Sequence, residues 1–387
     1  MYRIGVDVGG TNTDAVVMDG DQILAGVKSP TTEDVMGGVV EAVTRAMAEA
    51  EVQTGAVTAV MIGTTHFTNA VVERRHLART AALRLCLPAA QCLPPMVDWP
   101  DDIRDAVGGQ FWMAKGGHEF DGRVISELDM AELDGIAAEI GAAGLTSVAI
   151  TSVFSPVSDA MERKAMERLA ERLPDADFTL SSEIGRLGIL ERENAAIMNA
   201  SLRGLSERTV KAFGDALAQV GLTCPYYITQ NDGTLMNREF VQSYPVLTFA
   251  SGPTNSMRGA AFLSGKSDAI VVDVGGTTTD VGALVKGFPR PASTTVDVGG
   301  VRTNFRMPDI LAIGLGGGSI VSEDGSAIGP QSVGHRLVSE AKVFGGDTLT
   351  ATDIVVAAGM AEVGDPAKVA DVPRATIDNA LARMRSM

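Results

Sequence analysis

The sequence feature that most constrains the fold is an internal repeat of eight residues. Asp7-Val-Gly-Gly-Thr-Asn-Thr-Asp14 recurs as Asp273-Val-Gly-Gly-Thr-Thr-Thr-Asp280, and the two copies differ only at Asn12 and Thr278. The copies lie 266 residues apart (273 − 7). Repetition of a short polar motif over this distance indicates two related halves, each built around the same turn.

Apolar runs flank both copies of the repeat. Residues 2–6 precede and residues 15–18 follow the first copy, whereas residues 269–272 and 281–285 flank the second. Two apolar runs joined by a glycine-containing turn predict a β-hairpin. Each half of the chain is therefore expected to contain a strand, a tight turn and a second strand.

The repeated turn has the residue types of a phosphate-binding loop. Glycine lets backbone amides approach an anion, and hydroxyl and amide side chains donate hydrogen bonds to its oxygens. Asp7 and Asp273 end the strands before the turns, where a carboxylate can hold Mg²⁺ or its waters beside nucleotide phosphates. One copy alone is equally typical of an ordinary hairpin, but two matching copies favour nucleotide binding.

The segments after the first turn predict an α/β domain. A second hairpin turn leads to a strand over residues 22–28, Asp34 is placed to cap a helix that ends at residue 50, and a strand follows over residues 56–63. Three strands joined by hairpins, then a helix and a further strand, are typical of a ribonuclease-H-like domain.

Later segments are assigned from periodicity and from proline and glycine content. Helical spacing around an apolar run at residues 147–154 continues the alternation of strands and helices. Residues 80–129 are rich in proline and glycine, and we interpret them as an irregular elaboration. A long helix over residues 183–221 is placed to link two domains. The predicted domains are residues 1–185, with the elaboration at about 80–130, and residues 186–387.

Two polar segments follow predicted strands. Thr64, Thr65 and Asn69 either orient phosphate or substrate, or cap the next helix. Asn231 and Asp232 either contact substrate or form a plain turn. We nevertheless predict catalytic roles for these five residues.

Two further segments are candidates for nucleotide contact. Ser251 and Gly252 precede a helix, where they supply either free amides for phosphate or a helix cap. Gly316, Gly317 and Gly318 lie in a glycine-rich loop that lets the backbone pass close to nucleotide or substrate. None of the four histidines has metal-ligand spacing or an evident partner, so we name none of them as a general base.

Composition excludes several classes of partner. The chain has 32 lysine and arginine residues against 48 aspartate and glutamate residues, a net charge of −16, and no basic block, so nucleic acid is not expected. No apolar stretch reaches the ~18 residues of a membrane span, and no targeting segment precedes residue 10. Three cysteines without CxxC spacing suit a reducing compartment, and we expect a cytoplasmic protein.

Several motifs together carry a family resemblance. The chain resembles the hydantoinase A and oxoprolinase family of the actin-like ATPase superfamily through segments spread over most of its length, which are Gly5 to Asp14, Gly63 to Ala70, Ser182 to Gly185, Gln230 to Gly233, Ser251 to Pro253 and Asp273 to Asp280. The resemblance implies an actin-like, ribonuclease-H-like α/β fold with two related domains around a nucleotide cleft. Family members extend further, so we expect the second domain to lack its C-terminal end.

The resemblance also implies a chemistry. Members use ATP to open cyclic amides such as 5-oxoproline or hydantoins, and related members carboxylate ketones. We therefore expect ATP-dependent hydrolysis of a cyclic amide through phosphorylation of the carbonyl oxygen, with Mg²⁺, by an ATP-handling A subunit. We also expect a homo- or hetero-oligomer, with a hydantoinase B-type subunit as the candidate partner. A small-molecule kinase and a non-catalytic nucleotide-dependent regulatory module remain alternatives.

By the same resemblance, the residues of the two turns contact the nucleotide. Asp7 and Asp273 are predicted to be catalytic residues and to bind the metal ion. The predicted cofactor-binding residues are Gly9, Gly10, Thr11, Asn12, Thr13, Asp14, Ser251, Gly252, Gly275, Gly276, Thr277, Thr278, Thr279, Asp280, Gly316, Gly317 and Gly318.

Overall fold

The computed structural model describes residues 1–9, 12–30, 35–293 and 295–387. Two predicted nucleotide contacts, Gly10 and Thr11, and the predicted helix cap Asp34 lie outside these ranges. By contact density the described chain divides into two compact units. The first comprises residues 1–254 and 291–308, and the second comprises residues 255–290 and 309–387. The predicted domains, residues 1–185 and 186–387, were defined as two related halves of the fold. The compact units are defined by contact density, so they do not test those limits, which stay a prediction.

Strands and helices alternate through most of the chain. As far as Ser264 the elements are β1 Tyr2–Val8, β2 Asn12–Asp19, β3 Gln22–Pro30, α1 Val35–Glu49, β4 Val57–Thr64, α2 His66–Val72, β5 Thr80–Leu87, α3 Asp101–Ala106, β6 Gln110–Lys115, α4 Met130–Ala142, β7 Ser147–Ser152, α5 Ala160–Ala170, β8 Asp177–Leu180, α6 Ile189–Val220, β9 Tyr226–Thr229, β10 Leu235–Met236, α7 Arg238–Ser243 and α8 Ser251–Ser264. They continue as β11 Ala269–Val274, β12 Thr279–Val285, β13 Phe288–Pro289, β14 Val296–Val298, β15 Val301–Thr303, β16 Ile310–Ile313, β17 Ser319–Val321, β18 Ile328–Ser332, α9 Leu337–Glu340, α10 Ala351–Ala357 and α11 Arg374–Ser386.

The main sheet of the first unit has the strand order β10-β9-β4-β1-β2-β3. Strands β1, β2 and β3 are joined by antiparallel hairpins, whereas β1, β4 and β9 run parallel to one another. Burial alternates along β1, where Ile4, Val6 and Val8 face the core. The order confirms the predicted opening of three hairpin strands, a helix and a further strand, and it places the carboxyl ends of three parallel strands at one edge.

A second sheet of the first unit corrects the interpretation of the middle of the chain. Strands β6, β5, β7 and β8 are parallel neighbours, so residues 80–87 and 110–115 form regular strands. The prediction of an irregular segment is wrong there, because the apolar run of β5 was outweighed by the prolines and glycines that follow it. Helices α4 and α5 cover this sheet through Leu133, Ile140 and Leu169.

Helix α6 packs in two hydrophobic cores of the first unit. Its N-terminal half is buried with β5 and β7 residues, and its C-terminal half packs in the core of the main sheet. Small residues let the helix pack closely, since Ala195, Ala196 and Ala200 are each at most 1% exposed. The helix ends at Gly221, whose φ of 87° is the left-handed conformation typical of a C-terminal cap.

A buried ion pair fixes α6 against the second sheet. The Arg84 guanidinium of β5 binds both carboxylate oxygens of Glu193, and its Nε lies 2.8 Å from Oε1. The side chains are 0% and 1% exposed. A buried guanidinium is tolerated when a carboxylate matches its donors in this bidentate way.

The second unit contains the second copy of the repeat. Strand β12 pairs with β11, β13 and β16, all antiparallel. Within the described ranges β11 pairs with β12 alone, whereas β1 has β2 and β4 as neighbours on its two sides. The two hairpins therefore share their turn but not their sheet surroundings. A separate core holds β17, β18, α10 and α11 together through residues such as Val321, Ile354 and Ile377.

None of the helices in the described ranges combines the length and the apolar composition that crossing a bilayer demands.

We predict that Arg84→Met lowers the free energy of unfolding by about 3–5 kcal/mol, because Glu193 is left as an unpaired buried charge. The double variant Arg84→Met/Glu193→Leu should recover part of that loss, since it removes both charges. Urea unfolding of the three proteins measures the difference.

The matched control is Arg104→Met, which breaks the exposed pair between Arg104 and Asp101. Its effect should stay within about 1 kcal/mol. An Arg84→Met variant as stable as this control would contradict the structural importance of the buried pair.

Candidate functional site

The first repeated turn closes through one backbone hydrogen bond. The Gly9 amide donates to the Asn12 carbonyl oxygen at 3.0 Å, and Asp7 lies directly opposite Asp14 in the β1–β2 register. A Cβ at Gly9 would stand 3.1 Å from that same carbonyl oxygen. Glycine is therefore the residue that best fits this tight closure. Thr13 is fully buried beside the turn.

The second turn repeats this geometry in the second unit. The Gly275 amide donates to the Thr278 carbonyl oxygen at 2.8 Å, and Asp273 lies opposite Asp280. A Cβ at Gly275 would stand 3.3 Å from the Thr278 carbonyl oxygen. The sequence repeat is thus also a repeat of backbone structure, with Gly276 and Thr277 at the tip of the second turn.

The two turns differ in the charges around their aspartates. Lys28 of β3 lies opposite Asp14 in the sheet, and its Nζ is 3.7 Å from the Asp14 Oδ1 atom. In the second unit Ala312 occupies the position opposite Asp280. Burial, and then the charge of Asp273, raise the pKa of Asp280 above its ordinary value. The second turn therefore has two neighbouring carboxylates without the lysine of the first.

These carboxylate pairs fit the way proteins hold Mg²⁺. Among the described residues no group of three or more histidine, cysteine, aspartate or glutamate side chains is arranged to enclose a metal. Mg²⁺ does not require such an enclosure, because it usually combines one or two carboxylates with water and substrate phosphates. Asp7 and Asp273, each at the end of the strand before its turn, are suitable donors of that kind.

The segment after β4 lies beside the first turn. Val8 pairs with Thr64 in the parallel register of β1 and β4, and the Thr65 amide donates to the Val8 carbonyl oxygen at 3.3 Å. The Asn69 side chain is linked to this segment, because its Nδ2 lies 3.4 Å from the Thr65 Oγ1 atom. Thr64, Thr65 and Asn69 are therefore brought to the edge of the sheet that carries Asp7.

The start of α8 joins the same edge. The Ser251 hydroxyl donates to the Thr64 carbonyl oxygen at 2.8 Å, and Ser251 is fully buried. A Cβ at Gly252 would lie 3.5 Å from the Thr65 Cγ2 atom, so the two segments are in close contact. The Thr64 hydroxyl accepts from the His66 amide at 3.1 Å, which is a helix-start contact. The predicted ligand contacts of Thr64 and Ser251 stay predictions.

Asn231 is a buried residue in the turn after β9, and its side chain connects three backbone segments by hydrogen bonds. Its Oδ1 accepts from the Ala250 amide at 2.7 Å, and its Nδ2 donates to the carbonyl oxygens of Val246 and Arg306. The Asp232 Oδ1 accepts from the amide and the hydroxyl of Thr234, which forms the turn. This geometry favours an architectural part for Asn231, and the catalytic roles of both residues stay predictions.

The glycine-rich loop of the second unit packs directly on the second turn. The amides of Gly317 and Gly318 donate to the carbonyl oxygens of Gly275 and Gly276 at 3.0 and 2.7 Å. A Cβ at Gly316 would stand 2.5 Å from the Thr277 amide nitrogen. The Thr279 hydroxyl donates to the Leu315 carbonyl oxygen at 2.6 Å. The structure thus joins two segments that the sequence identified separately.

Three charged residues near these segments were missed by sequence reasoning. Lys28 accompanies Asp14, and its position opposite Asp14 follows only once the register of β2 and β3 is known. Arg186 and Arg306 line a cavity of about 420 Å³ together with Asn231 and Asp232. Arg186 follows the Ser182 to Gly185 motif at once, so its position beside that motif was the available signal.

We predict that Gly316→Ala lowers the free energy of unfolding of the second unit by about 1–3 kcal/mol, because the added methyl group collides with the backbone of the turn. Gly314→Ala is the matched control, since a Cβ there meets no atom within 4 Å. Urea unfolding, followed by hydrogen exchange at the amides of Gly317 and Gly318, measures both effects. Equal stability of the two variants would contradict the close packing.

We predict that the His66 ring titrates below its ordinary value of about 6.5. Burial lowers the pKa of His66 most, the nearby His76 lowers it further, and Glu73 opposes them. The folded state then binds the proton less tightly than the unfolded chain. The contribution of His66 to stability is accordingly present above about pH 6.5 and is lost as the pH falls towards the lowered pKa.

Proton NMR of the histidine ring resonances measures this pKa directly. His76→Asn should raise it, because it removes a neighbouring positive charge while keeping a residue that tolerates the φ of 60° at this position. A His66 pKa at or above about 6.5 in the unmodified chain would contradict the prediction.

Two family models match the chain. The hydantoinase/oxoprolinase N-terminal region matches residues 3–173, and the hydantoinase/oxoprolinase model matches residues 192–365. The first match contains the first turn, and the second contains the second turn together with the glycine-rich loop.

Two curated relatives illustrate the range of similar proteins. The caprolactamase subunit alpha of Pseudomonas jessenii is 25% identical over 389 residues, which cover 92% of this chain and 54% of the relative. The acetophenone carboxylase gamma subunit of Aromatoleum aromaticum is 24% identical over 251 residues, which cover 62% of this chain and 34% of the relative.

Two solved structures share the fold. The ATP-dependent caprolactamase of Pseudomonas jessenii superposes with a TM-score of 0.73 at 23% identity and covers 94% of this chain and 55% of its own. An acetone carboxylase in a nucleotide-free state superposes with a TM-score of 0.69 at 18% identity and covers 98% of this chain and 59% of its own. These matches confirm the predicted α/β fold of the actin-like ATPase type.

The similarity extends over nearly the whole of this chain but over only about half the length of the caprolactamase relative. The two family models together account for residues 3–173 and 192–365, which is most of the 387 residues. The chain therefore belongs to the hydantoinase/oxoprolinase family.

Proposed function

We propose that the chain is the ATP-handling part of an enzyme that hydrolyses a cyclic amide, such as a hydantoin, 5-oxoproline or a related lactam. The observation that carries this proposal is the duplicated turn. Both copies close by the same backbone bond and place two aspartates opposite each other. A glycine-containing turn of this kind suits a phosphate group.

The proposed roles follow from the residue types. Asn12 and Thr13 in the first turn, and Gly276, Thr277 and Thr278 in the second, donate hydrogen bonds to phosphate oxygens, while Gly9 and Gly275 close the turns with their own amides. Asp7 and Asp273 hold Mg²⁺, with Asp14 and Asp280 beside them in register. The ion would supply positive charge that offsets the developing charge on the transferred phosphoryl group.

Phosphorylation explains why an amide hydrolase would consume ATP. The amide oxygen attacks the γ-phosphorus, the bond from that phosphorus to ADP breaks, and the amide carbon becomes more electrophilic. Water then adds to that carbon, the ring carbon–nitrogen bond breaks, and the nitrogen takes a proton. A second water releases phosphate from the resulting acyl phosphate. The caprolactamase among the relatives acts on such a cyclic amide with ATP, by its name.

A partner subunit forms part of the proposal. Two of the relatives are named as subunits, one as caprolactamase alpha and one as acetophenone carboxylase gamma. We propose a hetero-oligomer with a hydantoinase B-type subunit, in the cytoplasm. The three cysteines are free thiols, as a reducing compartment would keep them.

We expect calorimetry to show binding of magnesium-ATP to the chain, and Asp7→Ala and Asp273→Ala each to weaken it by at least about tenfold. Loss of one charge-assisted contact of about 1.5–3 kcal/mol corresponds to an effect of this size or larger. Asp175→Ala, at an exposed surface position, is the matched control and should leave binding unchanged.

We also expect cyclic amides to stimulate phosphate release from ATP when the chain is combined with its B-type partner, and a ring-opened product to form in step with that release. A phosphorylated product that accumulates without ring opening would instead identify a small-molecule kinase. Nucleotide binding without any stimulation by hydantoins, lactams or 5-oxoproline would favour a regulatory module and contradict the amidohydrolase.

A further inference from the structure

The apolar side chains of β11 are exposed, whereas the equivalent side chains of β1 are buried. Ile-Gly-Val-Asp-Val in residues 4–8 of β1 corresponds to Ile-Val-Val-Asp-Val in residues 270–274 of β11. The first, third and fifth residues of this run are at most 4% exposed in β1 and between 57% and 69% exposed in β11. The same residue types on the same backbone are therefore covered in the first unit, and in the second unit the described residues leave them open.

In the first unit the cover is a helix and a strand that are consecutive in the chain. Val39 and Val43 of α1 share a hydrophobic core with Ile4 and Val6. Strand β4 lies parallel to β1 along the edge that β2 does not occupy. The segment from α1 to β4, residues 35–64, thus covers both the face and the edge of β1.

The open edge of β11 presents backbone donors. The Gly275 amide donates to the Thr278 carbonyl oxygen, and residues that exchange hydrogen bonds alternate along an antiparallel pair. The amides of Ile270, Val272 and Val274 therefore point away from β12. Over the ranges that the structure describes, β12 is the one neighbour of β11. These three amides are accordingly available to an added strand.

The exposed face of this sheet is apolar across three strands. The register places Val281 of β12 beside Val272 and Leu311 of β16 beside Val281, and Leu311 is 63% exposed. The opposite face is already covered, because a Cβ at Gly282 would stand 2.7 Å from the Met257 sulfur of α8. A contiguous apolar surface on one side of a sheet indicates an interaction site.

A second copy of this chain would not provide the missing cover. Two β11 strands related by a twofold axis pair antiparallel and form one longer sheet, with no helix over Val272 or Leu311. A strand that runs parallel to its neighbour needs a crossover, which is usually a helix on the face of the sheet. The occupant that fits both the edge and the face is therefore a helix joined to a parallel strand.

We propose that β11 is the docking surface for a separate partner chain, which contributes an amphipathic helix over Val272 and Leu311 and an apolar strand parallel to β11. The helix presents an aliphatic stripe, because the paired residues on the face that it covers are uncharged. Docking extends the sheet that carries Asp273. The inference goes beyond the proposed function, since it assigns an interface and requires no particular substrate.

The first test uses a synthetic peptide of residues 35–64 of this chain as the probe, because that segment covers the equivalent residues of β1. Saturating peptide should slow hydrogen exchange at the amides of Ile270, Val272 and Val274 of the full chain by at least about tenfold. Val272→Lys should abolish the slowing, because it places a charge in the apolar face. Val338→Lys, at another exposed valine of the second unit, is the matched control and should leave the slowing intact.

Unchanged exchange in the unmodified chain, or equal slowing in the Val272→Lys variant, would overturn the inference. Because Val272 is exposed in the chain alone, its substitution should leave the fold and the urea midpoint unchanged. Neither ATP nor an amide enters this test, so its result is separate from that of the proposed reaction.

The second test identifies the source of the occupant. The full chain carrying photoreactive benzoylphenylalanine at position 272, or at position 338 as the control, is irradiated in an extract of its native cells, and the cross-linked peptides are sequenced by mass spectrometry. Position 272 alone should cross-link, to a different polypeptide, at a strand preceded by an amphipathic helix. Cross-links to residues 269–285 of a second copy, to a segment covalently continuous with this chain, or to a segment without that pattern would contradict the proposal. Equal cross-linking at the two positions, or none, would do the same.

Discussion

The first unit depends on charges that are completely enclosed around helix α6. Arg84 and Glu193 pair inside the protein, and the residue before Glu193 in the helix, Arg192, donates to the Ser181 hydroxyl and to the Ser152 carbonyl oxygen. Glu162 accepts from the amide and hydroxyl of Ser182 and from the Ser181 hydroxyl. Each of these groups is stable inside only because its partner is present. The segment after β8 is consequently held by buried charges on both sides, and that segment carries Glu183 and Arg186 to the cavity.

The two copies of the repeat share one backbone conformation but differ in the charged residues around their aspartates. The closing hydrogen bond and the facing aspartates are the same in both turns. The first pair has Lys28 within 3.7 Å, whereas the second pair has the side chain of Ala312 across the strand. A cation is attracted more strongly where neighbouring carboxylates lack a compensating ammonium group. Part of the negative charge of the first pair is therefore offset by Lys28, whereas Ala312 offsets none at the second.

The sequence was sufficient wherever the information is local. The hairpins, the helix before β4 and the long helix α6 follow from short apolar patterns, and the repeat identified both turns. Strand β5 was missed because the prolines and glycines after it outweighed its apolar run, and because the partner of its Arg84, Glu193, lies 109 residues away. The meeting of Gly316 with Thr277, and of Arg186 with the segment of Arg306, depends on chain paths that no local pattern encodes. Glycine content indicated that some close approach occurs, but only the folded chain specifies which atoms meet.

The contact between the glycine-rich loop and the second turn has a mechanical consequence. Gly317 and Gly318 bind the backbone of the turn through their amides, and the Gly317 carbonyl oxygen accepts from the amide and hydroxyl of Thr352 in the first turn of α10. The contacts of Gly317 and Gly318 with the turn are made by backbone atoms on both sides. Close-packed protein interiors have low compressibility, so these segments cannot easily move closer together. The turn, the loop and α10 are thus linked into one closely packed segment of the second unit. A displacement at Thr277 would therefore act through backbone contacts on α10, whose residue Ile354 belongs to the core of the second unit.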